Sequence, residues 1–131
     1  MGLFGGLFGG SKSGEGDNSS NIPWISLTSI DQLKDIKEAS NSKPQLIFKH
    51  STTCGISRMV LNMFKSSYSL EEGQMDLYFL NLLAHRDVSN GVASEFGVTH
   101  QSPQLLIIKN GEVVVHDSHG SISEINIHQY V

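Results

Sequence analysis

From residue 22 onward, apolar positions recur with a period near two in some stretches and near 3.6 in others, and the two alternate. "PWISL" reads as a short strand. In "TSIDQLKDIKEAS", Ile30, Leu33 and Ile36 share one helical face, and Ser29 and Gln32 have capping-box spacing. "KPQLIFKHS" is a strand introduced by Pro44, with Leu46 and Phe48 on one face and Ile47 on the other. Apolar groups on both faces predict a central strand covered from both sides. A second helix starts around Cys54, where Ile56, Met59, Val60, Met63 and Phe64 take the i, i+3, i+4, i+7 and i+8 positions of a buried stripe. "MDLYFLNLL" is a third strand. "HRDVSNGVASEFG" is a third helix, with Asp87 as its N-cap, Val88, Val92 and Phe96 facing inward, and Gly97 ending it.

"PQLLIIKNGEVVVHD" holds two strand-like runs around Asn110-Gly111, a pair able to take the positive φ angles of a type I′ hairpin turn. Ser121 and Glu124 are then spaced to cap a short last helix carrying Ile122 and Ile125. The order βαβαβαββα predicts an α/β fold. Its mixed central sheet has helices on both faces, and the hairpin supplies an antiparallel edge.

Composition narrows the function classes. A chain of 131 residues with 38% hydrophobic content has room for one domain and one core. A formal charge of −4 gives no basic footprint, so no nucleic-acid partner is expected. No apolar run is long enough to span a bilayer, so no membrane partner is expected either. The opening "MGLFGGLFGGSKSGEGDNSS" holds seven of the 13 glycines and lacks the basic start and unbroken apolar stretch of a secretory signal. Gly6 stands where N-myristoylation wants Ser or Thr. Residues 1–21 are therefore expected to form a disordered, glycine-rich tail, with contact of the doubled Leu-Phe-Gly-Gly to a membrane or partner as the competing reading. One cysteine excludes a disulfide scaffold and a cysteine-only zinc site, and it suits a reducing, cytoplasmic setting.

That cysteine, Cys54, falls at a helix mouth and outside the apolar stripe. Unpaired N–H groups and a partial positive charge at a helix N-terminus favour a thiolate, the attacking form, over a thiol. Ser57, one turn on, is placed to donate a hydrogen bond to the sulfur, and Lys49 and His50 to add positive potential. A second feature is Pro103, which directly precedes a sheet strand and so removes a ladder donor. A cis peptide after Ser102 is one reason for it, and an ordinary trans turn is the other. His100, three residues earlier, is expected near the sulfur, either in a substrate-side role or as a solvent-facing loop residue. His116 and His119 lack partners for a metal site, so no metal is expected. Trp24 reads as core or edge packing.

The strand ending in Thr53-Cys54 with its helix, followed by "EFGVTHQSPQLLIIKNGEVV", resembles the thioredoxin superfamily over residues 24 to 130. Within it, "LIFKHSTTCGIS", "HQSPQLLIIKNGEVV" and "SHGSIS" look most like the monothiol bacilliredoxins of the bacillithiol system. The resemblance implies a thioredoxin-like three-layer α/β/α sandwich over residues 22–131. It implies that Cys54 is the redox nucleophile, that Thr53, Gly55, Ile56 and Ser57 complete the motif, and that Pro103 is a cis-proline. Gly55 stands where this family often has proline. The implied activity is removal of bacillithiol from mixed disulfides on client proteins. Bacillithiol would be co-substrate, no resident cofactor would be required, and a free low-molecular-weight thiol or a second redoxin would regenerate Cys54. Ser102 would offer its backbone to the bound disulfide partner. Cys-Gly-Ile-Ser also resembles the Cys-Gly-Phe-Ser site of monothiol glutaredoxins, which carry a [2Fe–2S] cluster. Against that, "KNGEVVVHD" follows the proline strand in place of a Gly-Gly-Asp-like glutathione segment. A non-catalytic thioredoxin-like interaction module is the third reading.

Overall fold

The computed structural model describes residues 22–131; the expectation of a disordered tail lies outside them. Five strands form one mixed sheet: β1 (Trp24–Ser26), β2 (Gln45–His50), β3 (Asp76–Asn81), β4 (Gln104–Lys109) and β5 (Glu112–Ser118). Their spatial order is β1-β3-β2-β4-β5. β1 and β2 pair with β3 in parallel, whereas β2–β4 and β4–β5 are antiparallel. Three helices connect them: α1 (Asp31–Ala39), α2 (Gly55–Ser67) and α3 (Arg86–Phe96). Among the described residues no helix is long and apolar enough to cross a membrane.

β2 is the middle strand, and all six of its residues are buried. Alternation sends Leu46 and Phe48 into a cluster with Val60, Leu61 and Phe64 of α2. It sends Ile47 into a second cluster with Leu33 and Ile36 of α1 and Val88 and Val92 of α3. The sheet is thus covered on both faces, as an α/β/α sandwich. Trp24 belongs to the first cluster, its ring 5.4 Å from Phe79 and 5.8 Å from Phe64.

Local chemistry explains the boundaries. Gly97 ends α3 in the left-handed region (φ 67°), where a side chain would be strained. Asn110 (φ 54°) and Gly111 (φ 81°) make the tight turn between β4 and β5, and the turn is stapled to the end of α1. Asn110 N–H donates to the Ser40 carbonyl, and Gly111 N–H to Ser40 Oγ, each at 2.8 Å.

Several expectations need correction. The buried face of α2 is Ser57, Val60, Leu61 and Phe64, while Ile56, Met59 and Met63 are exposed. Two adjacent rows of this helix are largely apolar, and the buried one opens on a serine, which hid it. Only half of the α1 capping box forms: Gln32 Oε1 accepts from Ser29 N–H at 3.0 Å, but Ser29 makes no side-chain cap and Ile30 is half exposed. His85, not Asp87, precedes α3, without a side-chain cap. The last helix is instead two 3₁₀ segments, His119–Glu124 and Ile127–Tyr130; Ser121 lies inside the first and caps nothing. Their anchors Ile122 and Ile127 are buried singly, too few contacts to extend a helix.

Candidate active site

Cys54 is the N-cap of α2. Its backbone is extended (φ −103°, ψ 121°), its carbonyl accepts the first helical bond from Arg58 N–H at 3.1 Å, and its side chain makes no capping bond. Cys54 is a partly exposed residue and forms no disulfide. The first-turn N–H groups of α2, beginning at Gly55, have no carbonyl partners within the helix.

The loop before Cys54 is held by polar bonds. Cys54 N–H donates to the Ser51 carbonyl at 3.3 Å, and Arg58 Nη1 to the Thr52 carbonyl at 3.4 Å. The Thr53 and Ser51 hydroxyls are 3.4 Å apart. Ser57 is fully buried and accepts from Ser51 N–H at 3.0 Å. Its own hydroxyl is 2.8 Å from His50 Nδ1. This corrects the expected bond from Ser57 to the sulfur. Its lone pair holds the loop, and with the imidazole neutral either Ser57 Oγ or His50 Nδ1 can donate the bond between them. Burial first, then the charges of Lys65 and Arg58, push the His50 pKa below its usual value and favour this neutral form.

Pro103 comes to the same end of the sheet. In the antiparallel register Lys49 pairs with Gln104, so the residue before β4 lies beside the end of β2 that runs into the Cys54 loop. The Ser102–Pro103 peptide is cis. The Pro103 carbonyl accepts from His119 N–H at 3.1 Å, and the Thr99 carbonyl accepts from Gln104 Nε2 at 2.9 Å. Ser102 is half-buried, its hydroxyl enclosed without a hydrogen-bond partner.

Lys49 takes no part in the Cys54 loop. It points to the α1/α3 face, opposite to His50, and is fully buried. Its Nζ is 3.3 Å from the Ser89 carbonyl of α3 and 3.1 Å from His100 Nδ1, and Ser89 Oγ is 3.2 Å from the same ring nitrogen. Sequence reasoning missed Ser89 altogether. The available signal was a lysine on an inward-facing position of a strand otherwise buried on both faces.

A single partly exposed cysteine at the N-cap of a helix, at the same end of a five-stranded mixed sheet as a cis-proline loop, is the arrangement of a thioredoxin-fold redox protein. Comparison with solved structures agrees. A protein assigned as an oxidoreductase with a thioredoxin fold is 38% identical, with a TM-score of 0.64 over 76% of this chain and 85% of that one. The reduced Schistosoma mansoni thioredoxin pre-protein is 19% identical, with a TM-score of 0.61 over 84% and 100% of the two chains. Malassezia sympodialis thioredoxin (Mala s 13) is 21% identical, with a TM-score of 0.58 over 76% and 81%. The last two share the fold alone. The family profile for monothiol bacilliredoxin BrxC matches residues 25–127, and the chain belongs to that family.

Proposed function

We propose that this protein removes bacillithiol from mixed disulfides on client proteins in a reducing cytoplasm, using Cys54 as the only sulfur nucleophile. The observation that carries the reading is the partly exposed Cys54 thiol at the mouth of α2, in a chain of the bacilliredoxin family. The Cys54 thiolate attacks the bacillithiol sulfur of the client disulfide. That S–S bond breaks, the client leaves as a thiolate and takes up a proton, and a Cys54–bacillithiol disulfide remains. Since the chain has one cysteine, a second thiol must attack this adduct from outside: a free bacillithiol, giving bacillithiol disulfide, or the thiol of another redoxin. The chain's own residues contribute the helix mouth at Gly55–Ser57, the pinned 51–53 loop and the backbone at Ser102. No resident cofactor enters the cycle.

The test is release of a purified single-cysteine protein loaded with bacillithiol, followed by mass spectrometry of both proteins. Wild type is expected to free the client and gain one bacillithiol. Cys54→Ser is expected to do neither. Client release by Cys54→Ser, or release by wild type without an adduct, refutes the mechanism.

A further inference from the structure

Lys49 poses a problem that the redox reading leaves unsolved. It is fully buried in the central strand, and the ion pairs among the described residues, Lys37–Glu95 and Lys43–Asp76, do not include it. A buried amine without a carboxylate is costly, and an apolar side chain at this position would avoid that cost. What the amine gains is a junction. It reaches α3 through the Ser89 carbonyl and the loop before Pro103 through His100 Nδ1.

We propose that Lys49 and His100 are positioning residues for disulfide transfer: the amine fixes the imidazole, and the imidazole fixes the loop that presents Ser102 and Pro103 to the incoming disulfide. This rests on the redox reading above. The loop is held at each end of a short span. On one side His100 is tied to β2 and α3. On the other, Gln104 pairs with Lys49 in the sheet and its side chain returns to the Thr99 carbonyl at 2.9 Å. Gln101 and Ser102 lie between these anchors, so their backbone direction is set before a partner arrives. Such preorganisation lowers the cost of binding an extended segment.

The junction works with a neutral imidazole. Nδ1 faces the Lys49 amine at 3.1 Å and the Ser89 hydroxyl at 3.2 Å, so it is the acceptor and the ring proton sits on Nε2. Protonating His100 would remove the acceptor and place a second cation against Lys49. The charged groups facing the ring are Lys49 from β2 and Arg86 from α3, and both oppose protonation, after burial itself. Ser89 contributes no charge. The loop therefore stays held at neutral pH and is released in acid, below the ordinary histidine range near ~6.5.

The test compares wild type, Lys49→Met, His100→Ala and His100→Asn in release of the bacillithiol-loaded client, across client concentration and across pH from ~5 to ~8. Asn Oδ1 can occupy the place of Nδ1 as an acceptor that does not titrate. Lys49→Met and His100→Ala are expected to raise the half-saturating client concentration about tenfold, with a smaller change in the saturated rate. His100→Asn is expected to return it to within about threefold of wild type and to flatten the acid limb. Nitrogen NMR of the imidazole supplies a readout that needs no transfer, expected to show Nδ1 unprotonated and Nε2 protonated near neutral pH. Wild type that releases client while His100→Ala matches it, or an acid limb that survives in His100→Asn, overturns the positioning role alone. A protonated Nδ1 near neutral pH does the same. Wild type that releases no client overturns the redox reading and the positioning role together.

Discussion

Replacing Lys49 by methionine, which has a similar length and no charge, should make the protein more stable near neutral pH. Burial pushes the Lys49 amine from its usual 10.5 down to about 8. The group is fully enclosed, so little solvent screening applies. A pKa lower by about 2.5, at about 1.4 kcal/mol for each, means that keeping the amine charged costs roughly 3 kcal/mol of folding stability. The bonds to the Ser89 carbonyl and to His100 offset part of that, at about 1 kcal/mol each. Lys49→Met should therefore gain on the order of 1–2 kcal/mol near neutral pH. The sign of the pH dependence is fixed. Between the folded value of about 8 and the unfolded 10.5 the unfolded chain binds the extra proton, so wild type gains stability as pH rises through that window and the variant does not. Urea unfolding of both proteins near pH ~7 and ~10 isolates this group, because other titrations cancel in the difference. The stability difference should move by roughly 2–3 kcal/mol in favour of wild type at the higher pH, enough to cancel or reverse the advantage of the variant. A variant less stable than wild type near neutral pH, or a gap that does not move, refutes the cost assigned to the buried amine.

Gly55→Pro should raise stability by about 0.5–1 kcal/mol, seen as a higher melting temperature, because Gly55 opens α2 and Cys54 before it is already extended. A lower melting temperature would show that the Gly55 N–H has a partner that proline removes. Ser57→Ala should cost about 1–3 kcal/mol in urea unfolding, since it strands the Ser51 N–H and leaves His50 Nδ1 unpaired in a buried place. If its stability is unchanged while client release slows, the hydroxyl acts on the sulfur and not on the loop.

What the sequence disclosed was chemistry carried by neighbouring residues. Asn110-Gly111 can turn at positive φ whatever surrounds it, and Gly97 can end a helix in the same way, so both were legible. The α2 face was not. Ile56, Met59 and Met63 have the same period as Val60, Leu61 and Phe64, and only the sheet decides which row it covers. Lys49 was misplaced for a related reason: its charge suggested the thiol side, whereas alternation along β2 sends it to the α3 face with Ile47. The partners of Ser57 and His100 are set by tertiary packing, and a run of polar residues around one cysteine cannot tell which hydroxyl meets which ring.

The two margins of the sheet carry a consequence for self-association. β1 is only three residues long, and the pairing of β5 with β4 slips between Ile107 and Ile108, a bulge that breaks the regular ladder. Neither margin offers the long, flat row of free N–H and carbonyl groups that recruits a foreign strand. The domain is thereby a poor seed for edge-to-edge aggregation with partly unfolded chains.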